Sequence, residues 1–375
     1  MDISLKFDPE VLIGADTISL AGTICSRHGE HVMVAADKGV DSRTVNRLKD
    51  ILKDSGVEAI VFDGISEDSP VNMAENVVEL CCAGHCTAII GFGGQKTQII
   101  ARMAAIMSPL KITAFELLDG RKCLGKFLPF ISIPTTGIDT FAFTHYFIAA
   151  DPRDRFVKAV DSPHKLCSAI IVDDNLFQSF SGASASISIL GGFCTAVEAY
   201  CSTKANFLSD ALLERALLFF GKMLKGGPGG INAETYTQAG FLASLGASVS
   251  SPGIGSALSF AINARYPAIK QLCSAVLFTA IAERLVSARP EKMARVASYL
   301  GSGKSASVAE AANSVAESFN RCMTSFNVQP NLKEFKIPLD KLIAAAEAIR
   351  NLELVSHSPW TVSEEDVFEM IKSII

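Results

Sequence analysis

Apolar runs alternate with amphipathic stretches through the first half of the chain, and the alternation then stops. HVMVAA (31–36) is closed by Asp37 and Gly39, and VNRLKDILKDSG follows with helical spacing. AIVFDG comes next, then a helical pattern around NMAENVVELC, the run TAIIGFGG and a helix expected from about 98 to 107. FISIPTT begins at 130 and AIIVDD at 169. Short apolar runs between helices, each ending in Asp, Gly or Thr, predict a parallel sheet with helices on both faces. In such sheets ligands sit beyond the carboxyl ends of the strands. Asp37, Gly93 to Lys96, and Thr135 with Thr136 would gather there.

Beyond about residue 180 small residues and helix formers take over, as in ASASISILGGFCTAVEAYCS, ALLERALLFFGKML and SAVLFTAIAERLVS. The expected organisation is a doubly wound α/β domain over 1–180 and an all-α domain over 181–375. A chain of 375 residues is long enough for two such cores. A cleft between them is the default ligand site. TVSEEDVFEMIKSII opens the last helix with Ser363 three residues ahead of Asp366, a capping-box spacing.

Several function classes lose support on composition. Net charge is −5 with no basic block, so no nucleic acid is expected as a partner. Although 49% of residues are apolar, no uninterrupted apolar run reaches the roughly 18 residues of a membrane span. The acidic opening MDISLKFDPE is unlike a signal peptide, which leaves a cytoplasmic protein with a small-molecule substrate as the expectation. The ten cysteines are scattered, as reduced thiols would be. CCAGHC (81–86) groups three thiols with His85, but no second cluster completes a tetrahedral site, and a structural role at a helix end is expected. His145 is assigned a packing or capping role. No nucleophile elbow is present, so hydrolase chemistry has no footing.

The stretch GFGGQKTQIIARMA (91–104) has the form of a strand, a glycine turn and a helix N-terminus, where backbone N–H groups can hold a phosphate. Gly93 and Gly94 suit a close backbone approach. Gln95 and Lys96 are bulky for such a loop, though Lys96 could face a pyrophosphate as a point charge. Asp37 could accept hydrogen bonds from an adenosine ribose, and would then repel a 2′-phosphate. The bland alternatives are a strand-end turn for Asp37 and turn capping for Thr135 and Thr136.

Read in order, FDPEVLIGADTISLAG, AADKGV, VFDGISEDSP, IIGFGG, ISIPTTG, IIVDDNL, AVEAY and SPWTVSEEDV resemble the iron-containing alcohol dehydrogenases. That family is related to glycerol dehydrogenase and dehydroquinate synthase. The resemblance spans essentially the whole chain. It implies a dehydroquinate synthase-like fold with a Rossmann-like nucleotide-binding domain over 1–180, NAD as cofactor, a homodimer, and oxidoreduction between an alcohol and an aldehyde or ketone. It also places Lys158 near the cofactor, although a solvated lysine after DPRDRF is the plain alternative.

The departures from the family concern chemistry. Gln95 and Lys96 replace the third Gly and the Ser of its Gly-Gly-Gly-Ser turn, and Ile99 and Arg102 replace the Asp and Lys of the following helix. In the loop from Pro134 the two threonines are kept, and Gly137-Ile138-Asp139-Thr140-Phe141-Ala142 replaces the family's Ala-Gly-Thr-Gly-Ser-Glu. The family's metal-binding Asp and three His align with Gly191, Thr195, Ser256 and Lys270. None is a carboxylate or an imidazole, so no metal is expected. Lys270 is the candidate catalytic residue, its ammonium standing in for the ion. A non-catalytic nucleotide-binding or scaffolding homologue is the alternative. The lyase branch of the same superfamily also depends on a metal, and gains nothing from these substitutions.

Overall fold

The computed structural model describes residues 7–65, 70–123, 125–136, 139–178, 182–266, 269–302, 307–349 and 352–374. Gly137 and Ile138 of the threonine loop, and the expected domain boundary near 180, lie outside the described residues. Two compact units divide the chain. One takes Met1–Asp154 and Lys158–Ser179, the other Arg155–Val157 and Phe180–Ile375.

Eight strands are described: β1 (Glu10–Gly14), β2 (His31–Asp37), β3 (Glu58–Ile65), β4 (Ala88–Gly93), β5 (Phe130–Pro134), β6 (Tyr146–Ala150), β7 (Val157–Asp161) and β8 (Cys167–Asp173). Six form one parallel sheet in the order β1-β8-β5-β4-β2-β3, while β6 and β7 pair separately. Period-two alternation on β2 and β4 divides the sheet's two faces. Val32, Val34 and Ala36, with Ala88, Ile90 and Phe92, join a core that includes Ile18, Leu48 and Leu52. On β4, Gly91 admits the helix Gln95–Leu110: a Cβ there would lie 2.7 Å from Gln98 Oε1 and 3.1 Å from Ala101 Cβ. The sequence reading missed β1, β6 and β7. All three lie outside the centre of the sheet, β1 at its edge and β6 and β7 in a separate two-stranded pair.

The strand order fixes where a ligand could sit. From β2 the chain runs outward to β3, then returns to β4 on the other side of β2 and continues through β5 to β8. The direction reverses between β2 and β4, so the crevice for ligands opens at their carboxyl ends. Register sets these ends level, with Ala36 opposite Phe92 and Gly93 opposite Pro134.

From Gly182 onward, every described element of the second unit is a helix. Two of its helices, Gly182–Cys201 and Lys270–Ala288, are long and apolar enough by composition to cross a bilayer. That corrects the expectation that nothing in the chain qualifies, which counted only uninterrupted runs. The two helices pack on each other, and 78% and 56% of their apolar windows are buried. Their apolar surface goes into the core of the unit.

CCAGHC closes the helix Pro70–Ala83. His85 takes a left-handed backbone (φ 49°), its amide donates to Cys82 O, and the Cys86 amide donates to Cys81 O at 3.0 Å. These are the paired hydrogen bonds of a Schellman cap.

Candidate functional site

At the switch point the loop after β4 is short. Gly93 ends the strand, Gly94 caps the helix with extended backbone and no side-chain hydrogen bond, and Gln95 opens the helix. Gln95 and Lys96 therefore occupy the first helical turn. The sequence reading had started the helix three residues later, leaving both in the turn. Gly93 is required by close approach: a Cβ would lie 2.5 Å from Asp37 Cβ and 2.8 Å from Thr97 Oγ1.

Asp37 flanks this turn. One carboxylate oxygen accepts the Gly39 amide at 2.8 Å and the other the Thr97 hydroxyl at 3.3 Å. Thr135 is buried, and its amide donates to Gly93 O at 3.1 Å. Thr136 is level with Gly94, where an added Cβ would lie 3.5 Å from Thr136 Cγ2. The structure thus brings together Asp37, Gly93, Gly94, Gln95, Lys96, Thr135 and Thr136. Lys158 stands apart on β7, its ammonium 2.7 Å from the fully buried carboxylate of Asp151 and 3.5 Å from Asp119. Arg153 and Lys158 together hold Asp151 well below the usual carboxylate range.

The residues at this turn fit a dinucleotide phosphate. A helix N-terminus carries unsatisfied N–H groups and the positive end of the helix dipole. The Gln95 side-chain amide nitrogen is buried and has no hydrogen-bond partner among the described residues. An orphaned donor at such a position is costly until an acceptor arrives. Gln95 can therefore supply the donor that a small hydroxyl gives elsewhere.

Behind the turn lies a polar network that sequence reasoning did not find. Gln98 is fully buried; its amide nitrogen donates to Gly91 O (2.9 Å) and Gly93 O (3.0 Å), and its oxygen accepts from Ser132 Oγ (2.9 Å). Arg102 pairs through both terminal nitrogens with Asp139, whose carboxylate also accepts the Phe141 amide at 3.1 Å. The only signal in the sequence was the coupled departure from the family at both positions, Arg102 on the helix and Asp139 in the threonine loop.

In the helical unit three of the four positions aligned with family metal ligands come together. Lys270 Nζ lies 3.5 Å from Thr195 Oγ1 and 5.0 Å from the centre of the Phe260 ring. The Thr195 hydroxyl donates to Gly191 O at 3.1 Å. Lys270 is 7% exposed and begins its helix. Burial lowers its pKa, partly opposed by the charge of Glu198. A Cβ on Gly191 would come within 2.7 Å of the backbone of Gln271, so this position has no room for a side chain. Gly, Thr, Ser and an ammonium do not fit a divalent ion, which takes carboxylate, imidazole or thiolate donors.

The fourth position, Ser256, faces another group. Glu198, from the AVEAY motif, sits at the N-terminus of the helix Ile254–Asn263, accepting the amides of Gly253 (2.9 Å) and Ser256 (3.2 Å) on Oε2. Glycines are needed beside it: a Cβ on Gly255 would lie 2.5 Å from Glu198 Oε1. That oxygen, Ser358 Oγ and the Trp360 indole nitrogen are buried without partners among the described residues and line one small cavity. Burial raises the Glu198 carboxyl above the ordinary range.

Comparison with known proteins agrees with this architecture. The model of the iron-containing alcohol dehydrogenase family matches residues 8–174, and that of the family's C-terminal domain matches 187–375. Choline dehydrogenase of Bacillus subtilis is 24% identical over 257 residues, a match covering 67% of this chain and 64% of that protein. The 1,3-propanediol dehydrogenase of Citrobacter freundii is 21% identical over 333 residues, 86% of each chain. The solved structure of sulfoacetaldehyde reductase from Bifidobacterium kashiwanohense, in complex with NAD+, superposes with a TM-score of 0.84 at 17% identity, covering 100% of this chain and 99% of that one.

Proposed function

From its membership of the iron-containing alcohol dehydrogenase family, we propose that this chain is an NAD-linked oxidoreductase of alcohols and their aldehydes or ketones that works without a metal at the family position. The observation that carries the reading is Lys270, a buried lysine beside Thr195 at a position aligned with a family metal ligand.

NAD, when bound, supplies the hydride acceptor. Gly93, Gly94, the first-turn amides and Gln95 would hold its phosphates, with Lys96 as a nearby charge. Asp37 would accept the ribose hydroxyls, and Thr135 and Thr136 would line the same strand ends. Lys270 would donate a hydrogen bond to the substrate oxygen and stabilise the negative charge that develops there, the role a Lewis acid otherwise fills. Thr195, with its proton directed to Gly191 O, presents a lone pair to the ammonium and orients it. That the relatives named above include a sulfoacetaldehyde reductase solved with NAD+ supports the cofactor assignment.

A second reading has its own observation. Substitution at all four ligand positions, with Gly191 sealed against Gln271, also suits a non-catalytic nucleotide-binding or scaffolding homologue. Calorimetric titration with NAD, followed by NADH oxidation against a panel of small aldehydes and ketones, separates the two. Binding with slow turnover supports the enzyme, and binding with no turnover on any carbonyl supports the homologue. Absence of NAD binding overturns the enzyme and the nucleotide-binding homologue, and leaves only the scaffolding form of the second reading.

A further inference from the structure

We propose that Asp8, His145 and His164 form a divalent-metal site of zinc type on the N-terminal unit, made of none of the residues aligned with the family position. The nearest ligand atoms of the three side chains all lie within 4.8 Å of one another. His164 Nδ1 is 3.9 Å from Asp8 Oδ2, and the two imidazole rings are 4.0 Å apart at their centres, tilted by 47°.

Three separate pieces of chain deliver these residues. Asp8 precedes β1, His145 precedes β6 and His164 follows β7. The Ser162 amide donates to His145 O at 2.8 Å and holds the open ends of the β6–β7 pair together. The Lys165 amide donates to Asp8 Oδ2, also at 2.8 Å. That bond orients the carboxylate, the kind of outer-sphere support that metal carboxylates commonly have.

Two imidazoles and a carboxylate are a donor set suited to zinc and its neighbours, and unlike the oxygen-only sets of calcium or magnesium. Bonds of about 2.0–2.2 Å in a tetrahedron set ligand atoms roughly 3.3–3.6 Å apart. The cluster must therefore contract by about an ångström at its widest separation. His164 can supply most of that movement, since its side chain is 69% exposed, whereas Asp8 is the fixed point at 8%. With three protein ligands a fourth position stays open to water. The ion would clasp β1, an edge strand of the sheet, to the β6–β7 pair.

The test uses the full-length protein, stripped with a chelator and dialysed. Zinc is titrated in competition with a chromophoric chelator, and cobalt is then added as a spectroscopic probe. One equivalent should bind in the micromolar range, with intense visible absorption from cobalt. His145→Ala and His164→Ala should each weaken zinc by at least tenfold, while Cys167→Ser leaves it unchanged. Asp8→Asn should also weaken it, and a thermal shift with zinc should appear in wild type and vanish in the double histidine variant. Failure to saturate, or binding that survives the double variant, overturns the site. Lys270→Ala should leave zinc binding untouched, so this result and the catalytic reading stand or fall separately.

Discussion

Gly191 lies so close to Gln271 that a Cβ placed on it would be 2.6 Å from Gln271 Cβ and 2.7 Å from its Cα. The helices Gly182–Cys201 and Lys270–Ala288 close over Gly191, which the sequence reading aligned with the family's metal-binding aspartate. Gly191→Ala should gain about 1 kcal/mol of helix propensity, yet overpacking typically costs about 1–3 kcal/mol. Because backbone must move here, the second term should win. Urea denaturation should show a lower midpoint for Gly191→Ala and a still lower one for Gly191→Asp. An unchanged or higher midpoint would mean that the two helices separate easily.

The Arg102–Asp139 pair gives the next expectation. The two side chains are 3% and 2% exposed, and removing one partner strands the other charge in the interior. Such losses usually cost about 3–5 kcal/mol, while replacing both partners by apolar groups is often close to neutral. Asp139→Ala should thus destabilise strongly, and Arg102→Met combined with Asp139→Leu should recover much of the loss. A double variant as unstable as the single one would show that the contacts to Ser132 and the Phe141 amide matter more than the charge pair.

Glu198 makes stability depend on pH. Its carboxyl is raised by burial to about 7 from an ordinary 4.5. The unfolded chain therefore releases this proton first. The contribution of Glu198 to stability is fully present below about 4.5, is lost as pH rises through about 7, and is flat above that. Trp360, the sole tryptophan, lines the same cavity. Its fluorescence should titrate near neutrality in the folded protein. Glu198→Gln should remove both the titration and the pH slope of stability. If the slope persists in Glu198→Gln, another group is responsible.

Cofactor choice turns on Asp37. Its carboxylate sits beside the glycine turn, anchored by the Gly39 amide and the Thr97 hydroxyl, so a 2′-phosphate would meet a fixed negative charge. NAD should bind at least tenfold more tightly than NADP, about 1.4 kcal/mol. Asp37→Gly should narrow that ratio. Equal affinities in the wild type would show that Asp37 does not face the ribose.

How far these sites were legible in the sequence follows from what each signal measures. Buried central strands such as β4 announce themselves because both faces are apolar, and Asp37, Gly93 and Thr135 were singled out because they lie at the ends of such strands. β6 and β7 form a separate pair, so the His145–His164 cluster at their ends had no pattern to reveal it. His145 was read as packed or capping, and nothing in the sequence showed that the pairing of β6 with β7 sets it beside His164. Glu198 appeared only as part of AVEAY. Its seat at a helix N-terminus depends on Gly253 and Gly255 more than 50 positions later. Lys270 was reached only by following the family pattern through its substitutions, since an isolated lysine in an apolar stretch carries no chemistry by itself.

Lys270 bears the sharpest expectation. Burial lowers its pKa, so the charged form needed to hold a substrate oxygen is lost at a lower pH than for a free lysine. Turnover should fall as pH rises, with a midpoint below the ordinary 10.5. A single ammonium is a weaker electrophile than a divalent ion. A shortfall of about 3 kcal/mol in transition-state stabilisation would slow the reaction roughly a hundredfold, so slow turnover on simple alcohols is expected. Lys270→Ala should abolish it while leaving NAD affinity in place, since the proposed cofactor contacts lie in the other unit. Thr195→Val should lower kcat with little effect on NAD binding, because it removes the lone pair that orients the ammonium. Metal analysis completes the test. Any divalent ion recovered with the protein should be lost in the His145→Ala/His164→Ala variant with turnover unchanged. If chelation abolishes turnover in that double variant, a metal acts at the reaction centre and Lys270 does not replace it.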